Sequence, residues 1–207
     1  MSTVDTENVP ITGPTAQRLA DLVGVDRDLL WVAKACTELC ARDSLVPRDE
    51  IALQGIHDAA LIRYGRCFKE GKRKAFQIPA QWIADLPEEL QRVHRDVLNL
   101  RDKHIAHSVN DWEVNVPCAV VATIRGRGVS TVKMVVVRHS RVDQMSIADL
   151  RSFSQLAKLL AQRVATVGAE VTSKLHKEVS AISPRELKRR APKFPEPGRR
   201  RVSATRS

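Results

Sequence analysis

The sequence predicts a mainly α-helical fold of the α+β class, in which a β-hairpin precedes the last helix of a four-helix bundle. Hydrophobic residues make up 43% of the 207 residues but aromatic residues only 4%, so the core must be aliphatic, which suits packed helices. Apolar residues recur at helical spacing in several long segments. One central stretch is instead rich in Val, Ile and Thr, which favours strands.

The first two helices are predicted in the N-terminal third. Residues 19–41 carry a broad apolar stripe, with Gly24 as the point where a short helix would give way to a longer one. Pro47 suits the first turn of a second helix, which we expect over residues 51–68.

A third helix is predicted from Asp85, because an acidic N-cap followed three positions later by Glu88 has the form of a capping box. Its apolar stripe continues at the same spacing to two histidines, and consists of Leu90, Val93, Val97, Leu100, His104 and His107.

The central stretch is predicted to form a hairpin at about residues 117–139, because two β-branched runs flank a short glycine-containing connection at residues 126–128. Ser146 and Asp149 form a second capping box. It opens a fourth helix of roughly nine turns, since apolar residues recur at threes and fours over residues 150–179.

Both ends of the chain are predicted to be flexible tails, residues 1–14 and 184–207, around a domain over residues 15–183. The C-terminal segment has nine basic and two acidic residues, a net charge of +7 within a total of +10. No apolar run has the length of a signal peptide core or a membrane span. We therefore expect a cytoplasmic protein with reduced cysteines and no membrane partner.

The end of the third helix carries the candidate chemistry. Arg101, Asp102, His104 and His107 bring charged and imidazole groups together within seven positions. Cleavage of RNA through the ribose 2′-OH needs a base, an acid and a cation, and histidine and arginine can supply all three without a metal or cofactor. The alternative from the residues alone is a charge-paired, solvated helix end beside core histidines.

The pattern Arg101-Asp102-x4-His107 resembles the short motif of the HEPN superfamily, whose members are helical bundles with this motif near the end of a late helix. The segment from Ile62 to Phe68, IRYGRCF, is also similar to a segment of some bacterial HEPN-like proteins. The architectural likeness covers about residues 48–180.

The resemblance implies a metal-independent endoribonuclease that acts in toxin–antitoxin, phage-defence or stress systems, with an antitoxin as a partner in the first case. It implies a homodimer with a composite site where the subunits meet. His107 would be the general acid or base, Arg101 the phosphate clamp, Asp102 an orienting group and His104 a second proton carrier. Products would carry 2′,3′-cyclic phosphate ends.

Helix geometry restricts how this site can be assembled. On an ideal helix, Arg101 and His107 lie about 120° apart around the axis and ~9 Å apart along it. One reaction centre therefore needs a kink near Ala106, or Arg101 of one subunit beside His107 of its two-fold mate.

Two basic segments are predicted to bind nucleic acid. One surrounds the end of the second helix, where Tyr64, Phe68 and Phe76 would stack bases, with core aromatics in a solvated loop as the alternative. The other is the C-terminal tail. The residues are Arg63, Arg66, Lys69, Lys72, Arg73 and Lys74 in the first, and Lys188, Arg189, Arg190, Arg199, Arg200 and Arg201 in the second.

Two rival functions remain open from the sequence. One is a catalytically silent HEPN-like module for RNA binding or as an adaptor. The other is a structural protein that neutralises nucleic acid with its basic tail. Cleavage of RNA in EDTA favours the enzyme, salt-sensitive binding without cleavage favours the module, and binding through the tail alone favours the structural protein.

Overall fold

The computed structural model describes residues 7–41, 50–69, 71, 73–102, 113–123, 130–141 and 145–192. The described part is mainly helical and contains one small antiparallel sheet, which confirms the predicted class. The elements in chain order are α1 (Pro14–Cys40), α2 (Glu50–Gly65), α3 (Ala80–Ala84), α4 (Glu88–Leu100), β1 (Glu113–Thr123), β2 (Ser130–Arg141), α5 (Ile147–Ser180) and α6 (Pro184–Arg190).

The two longest helices, α1 and α5, pack side by side along their length and run in opposite directions. Thr15 near the start of α1 donates a 3.0 Å hydrogen bond to Glu178 near the end of α5. Towards the other end, the buried Ser154 hydroxyl donates to the Ala33 carbonyl oxygen at 3.0 Å. α2 packs on α1, and α4 packs on both α5 and α2. The core therefore lies among these four helices.

Helix α1 begins earlier than the sequence predicted and is not divided at Gly24. Gly13 is its N-cap and Pro14 occupies its first turn, where proline is preorganised and its missing N–H is not needed. Pro14 is thus a start signal rather than part of a tail. Gly24 lies within the continuous helix, where a Cβ would stand 2.9 Å from the Arg73 Nε atom. The glycine leaves space for that side chain.

Tyr64 is the junction of three helices. Its ring is fully buried on α2, packs edge-on against Phe153 of α5 at 5.1 Å between centroids, and its hydroxyl is 2.8 Å from Nδ1 of His94 on α4. The predicted stripe of α4 also faces this core, since Leu90, Val93 and Val97 are buried. Apart from Phe76 and the two cysteines at 36 and 67, the rest of the buried core is aliphatic, as the composition predicted.

The two predicted capping boxes have different outcomes. Ser146 is the N-cap of α5, and its hydroxyl accepts a 3.1 Å hydrogen bond from the Asp149 amide, as predicted. The prediction at Asp85 is wrong. Asp85 ends α3 and accepts a bond from Gln81, and Pro87 is the N-cap of α4 without a side-chain capping bond. Proline fixes the extended entry to the helix two positions later than expected.

The predicted hairpin is present and longer than expected. β1 and β2 pair antiparallel from Glu113 opposite Arg141 to Thr123 opposite Ser130, with a bulge between Val120 and Val121. Among the hairpin side chains that the structure describes, none belongs to the buried core.

The C-terminal segment was predicted to be a flexible tail from residue 184 onward. Its first residues, Pro184–Arg190, instead form the helix α6. Ser183 is its N-cap and accepts a 3.3 Å bond from the Glu186 amide, Pro184 lies in the first turn, and the last turn is basic. These are ordinary helix signals. α6 has no buried residue, and its Lys188 forms an ion pair with Glu7.

None of the described helices combines the length and the hydropathy that crossing a bilayer requires. The cysteines at 36 and 67 are buried. Burial, with smaller contributions from neighbours, raises the pKa of each thiol to about 12. Both are therefore protonated packing residues at neutral pH.

Candidate functional site

The centre of the candidate site is the C-terminal end of α4. The backbone there widens into a π-helical turn at Arg101 and Asp102, a distortion that is frequent at functional sites. The Arg101 guanidinium donates a 2.7 Å hydrogen bond to the Asp102 carboxylate. The two neighbouring side chains of the predicted motif are thus paired with each other.

Helix α2 provides the surface against which Arg101 lies. Gly65, the last residue of α2, is buried, and a Cβ at this position would stand 3.2 Å from Cδ of Arg101 and 3.3 Å from its Nε. Such a contact is tighter than ordinary van der Waals packing. The absence of a side chain at Gly65 therefore lets the aliphatic part of Arg101 cross the end of α2.

Lys69 connects the first basic segment to the motif. Its ammonium group donates to both oxygens of Asp102, at 2.7 and 2.6 Å. Hydrogen bonds from Lys69, and then from Arg101, hold the pKa of Asp102 below its ordinary value of 3.8. Asp102 is therefore a carboxylate that bridges two cations, at a surface where its side chain is 43% exposed.

A second carboxylate, Asp28 of α1, binds half of the same basic segment. Its side chain is 2% exposed and accepts hydrogen bonds from Arg63 at 3.2 Å, from Arg73 at 2.8 Å, and from Nε of Arg66 at 2.5 Å. Burial disfavours the charged form, but the bonds from Arg66 and Arg73 outweigh it and lower the pKa of Asp28 below 3.8. Arg63 also lies over the Trp31 ring, 4.5 Å from its centroid.

The loop after α2 is therefore attached to α1. Arg73 donates to Asp28, and about two turns earlier on the same face of α1 the buried Asp21 accepts a 2.8 Å bond from the Ala75 amide. Beside this attachment lies an open cleft of about 310 Å³, lined by Gly71, Arg73, Lys74 and Gln77. Arg73 thus has a structural role at Asp28 while it borders a polar, cationic cleft.

The aromatic residues of this segment do not form a base-stacking surface. Tyr64 and Phe76 are buried, and Phe68 packs partly buried against the core. The structure therefore favours the alternative left open by the sequence, that these are core aromatics. Tyr64 and Phe68 pack against His94 of α4, and the Phe76 ring lies 6.2 Å from that of Trp82. Of the two predicted contacts of this segment with nucleic acid, only phosphate binding by the basic side chains stays a prediction.

Three described cations of the C-terminal segment, Lys188, Arg189 and Arg190, are paired with acids at the surface. Arg189 donates to Glu186 at 2.8 Å, and Arg190 donates to the same carboxylate at 2.5 Å. Bonds from Arg189 and Arg190 lower the pKa of Glu186 to about 2. Exposed pairs of this kind are weak, so phosphate can compete for these side chains.

Several predicted site residues lie outside the described residues, namely His104, His107, Lys72, Arg199, Arg200 and Arg201. Of the predicted catalytic set, the structure places Arg101 and Asp102 together and beside Lys69. Of the first basic segment, it places Arg63, Arg66 and Arg73 around Asp28.

Sequence reasoning missed Asp28 and Gly65. Asp28 is one position from the apolar stripe residue Leu29 and is fully buried with it. A carboxylate at a buried helical position is a signal for a distant cation, because unpaired buried charges are costly. The second helix was predicted to run through Gly65 to residue 68, whereas α2 ends at Gly65. The contact of Gly65 with Arg101 is tertiary, so no local pattern indicated it.

Within the described ranges, no three His, Cys, Asp or Glu side chains converge as metal ligands would. No family model matches the sequence. Neither a curated protein nor a solved structure shows significant similarity to it.

Proposed function

We propose that this protein is a HEPN-like, metal-independent endoribonuclease of the cytoplasm, and that its reaction centre includes Arg101, Asp102 and His107. The observation that supports the proposal is the contact between two distant segments that resemble HEPN sequences. Gly65 of the IRYGRCF segment adjoins the Arg101 side chain, and Lys69 pairs with Asp102. Such a contact is what a shared function of the two segments requires.

In the proposed reaction, His107 takes the proton from the ribose 2′-OH, and the 2′-oxygen forms a bond to phosphorus. The bond from phosphorus to the 5′-oxygen breaks, and a second proton carrier, His104 or the His107 of the two-fold mate, protonates the leaving oxygen. Arg101 donates to the phosphoryl oxygens as negative charge builds on them. The products are a 2′,3′-cyclic phosphate and a 5′-hydroxyl.

Asp102 controls the cations in this proposal. In the free protein its carboxylate pairs with both Lys69 and Arg101. An RNA phosphate that approaches the site offers these cations a competing anion, and the charged bonds can exchange because Asp102 is half-exposed. Asp102 thus holds Arg101 in position until an RNA phosphate replaces the Asp102 carboxylate in some of its bonds with Lys69 and Arg101.

The direct test is incubation of the purified protein with total RNA in EDTA, followed by mapping of the ends. Arg101→Ala and His107→Ala are each expected to lower cleavage by 10²- to 10⁴-fold, since each loses a group that acts in the transition state. If the site is composite, a mixture of the two variants regains part of the activity. Salt-sensitive RNA binding without cleavage by the wild type would instead identify a binding module.

A subtler variant tests the contact that supports the proposal. Gly65→Ala introduces a Cβ 3.2 Å from Arg101 Cδ and displaces that side chain by a few tenths of an ångström. We expect a loss of cleavage of about 10-fold, because small misplacement of a catalytic group is costly. The matched control is Gly55→Ala on the same helix, where a Cβ would meet nothing within 4 Å. Equal activity of the two variants would contradict a role for the contact.

A further inference from the structure

The β-hairpin has two unlike faces. Directly opposed residues of paired strands share a face, and successive residues alternate between faces. Ala119 lies opposite Val135, and Val121 lies opposite Val132 beyond the bulge. This places one set of side chains on a single surface, which we call the valine face: Pro117, Ala119, Val121, Val132, Val135 and Val137.

The valine face is open to solvent throughout, and the opposite face is less so. On the valine face the four valines are 53% to 70% exposed, and Pro117 and Ala119 are exposed as well. On the opposite face Cys118, Ala122 and Val136 are half-buried, whereas Val120 is 41% and Met134 57% exposed. A two-stranded sheet with one uncovered apolar face is marginally stable by itself.

The six residues of the valine face are all apolar. Charged residues only flank it: the same register places Glu113 opposite Arg141 at the base of the hairpin, Lys133 lies at the bulge, and Arg138 lies by alternation on the opposite face. Nucleic acid binds through cations that neutralise phosphate, so this surface has the wrong chemistry for RNA. It has the chemistry of the core of a protein interface, from which charged residues are depleted.

We infer that the valine face is a self-association surface, on which a second copy of this chain lays the same face across a two-fold axis. The uncovered apolar surface is on the order of 500 Å², near the upper end for one patch on a monomer. Two such faces together bury on the order of 1,000 Å², the lower limit for a specific interface. Two ribbons stacked in this way form a four-stranded sandwich with a valine interior.

A dimer is already expected from the HEPN resemblance, and the inference adds the surface through which it forms. Its measurement is the association state of hairpin variants of the full chain, which is independent of RNA cleavage. We expect wild-type protein to be a dimer at micromolar concentration in sedimentation equilibrium, with dissociation on dilution. The double variant Val135→Lys/Val137→Lys should raise the dissociation constant at least about 100-fold, because each change occurs twice in a two-fold interface and buries an ammonium group.

The control is Met134→Lys, which adds one lysine next to Val135 on β2 but on the opposite face of the hairpin. It is expected to leave the dissociation constant within about threefold of wild type. Far-UV circular dichroism of all three proteins at a dilution that favours monomers shows whether the hairpin variants keep the helical body folded.

Three results would overturn the inference. The first is a wild-type protein that stays monomeric at 100-fold higher concentration, which would mean that another part of the chain or nothing covers the face. The second is a dimer that the double variant leaves intact. The third is equal dissociation by Met134→Lys and the double variant, which would assign the contact to a strand edge or to hairpin stability rather than to the valine face.

Discussion

Two carboxylates of this protein have similar partners and different surroundings. Asp28 accepts hydrogen bonds from three arginines with its side chain 2% exposed, and Asp102 pairs with one lysine and one arginine with its side chain 43% exposed. Ion pairs are weakly stabilising in water, but loss of one partner in the interior leaves an uncompensated charge. The same chemistry therefore fixes the fold at Asp28 and leaves exchangeable cations at Asp102.

The difference is sharpest on substitution of each carboxylate by its neutral isostere. Asp28→Asn is expected to lower the free energy of unfolding by about 2–4 kcal/mol, because Arg66 and Arg73 lose their counter-charge in a partly buried setting. Asp102→Asn is expected to lower it by about 0–1 kcal/mol. Urea-induced unfolding followed by circular dichroism measures both. Similar losses for the two variants would break the comparison.

A third polar group, His94, lies between these extremes and extends the comparison to pH. Burial, with the nearby Arg95 as a smaller cause, lowers the pKa of His94 from 6.5 to about 4. The neutral ring forms a hydrogen bond between its Nδ1 atom and the Tyr64 hydroxyl. As pH falls from about 6.5 to about 4, the unfolded chain binds a proton before the folded chain does, so stability is lost across this window.

The expected loss at His94 is about 1–2 kcal/mol once the partial exposure of the ring is considered. His94→Gln keeps a polar partner for Tyr64 but cannot titrate. Between pH 7 and pH 4, the unfolding free energy of wild type should therefore fall by about 1–2 kcal/mol relative to that of this variant. A difference that is constant with pH would show that His94 titrates normally.

The smallest expected effect concerns two helical glycines, Gly55 on α2 and Gly24 on α1, the helix that holds Asp28. Gly55→Ala should raise stability by about 0.5–1 kcal/mol, since alanine is the better helix former and the site is open. Gly24→Ala gains the same propensity but meets Arg73 Nε at 2.9 Å, on the side chain that Asp28 binds. We expect it to be about 1 kcal/mol less stable than Gly55→Ala in thermal unfolding. Equal gains would mean that Arg73 moves aside freely.

Local signals in the sequence predicted most of the fold. The hairpin and the Ser146 cap depend on neighbouring residues, so they were correctly placed. The errors arose where two local signals competed, as with Asp85 and Pro87, and where a proline that starts a helix was assigned to a tail, as with Pro14. Gly24 was misplaced as a break because its reason is a distant arginine.

The candidate site could be predicted only in part for the same reason. The motif at Arg101 is local and was visible. The contact of Lys69 with Asp102 joins residues 33 positions apart, and that of Arg73 with Asp28 joins residues 45 apart. Spacing along a helix carries no information about such pairs, so the basic segment was assigned wholly to nucleic acid when half of it has a structural role.

The antiparallel pairing of α1 with α5 also determines when the protein can fold during synthesis. About 140 residues separate the end of α1 from the end of α5, which takes the ribosome roughly 10–30 s to translate. Through that time the apolar face of α1 lacks its main partner and is a target for chaperones. Any activity that needs the folded core, including one against cellular RNA, is therefore withheld from the nascent chain until α5 has emerged.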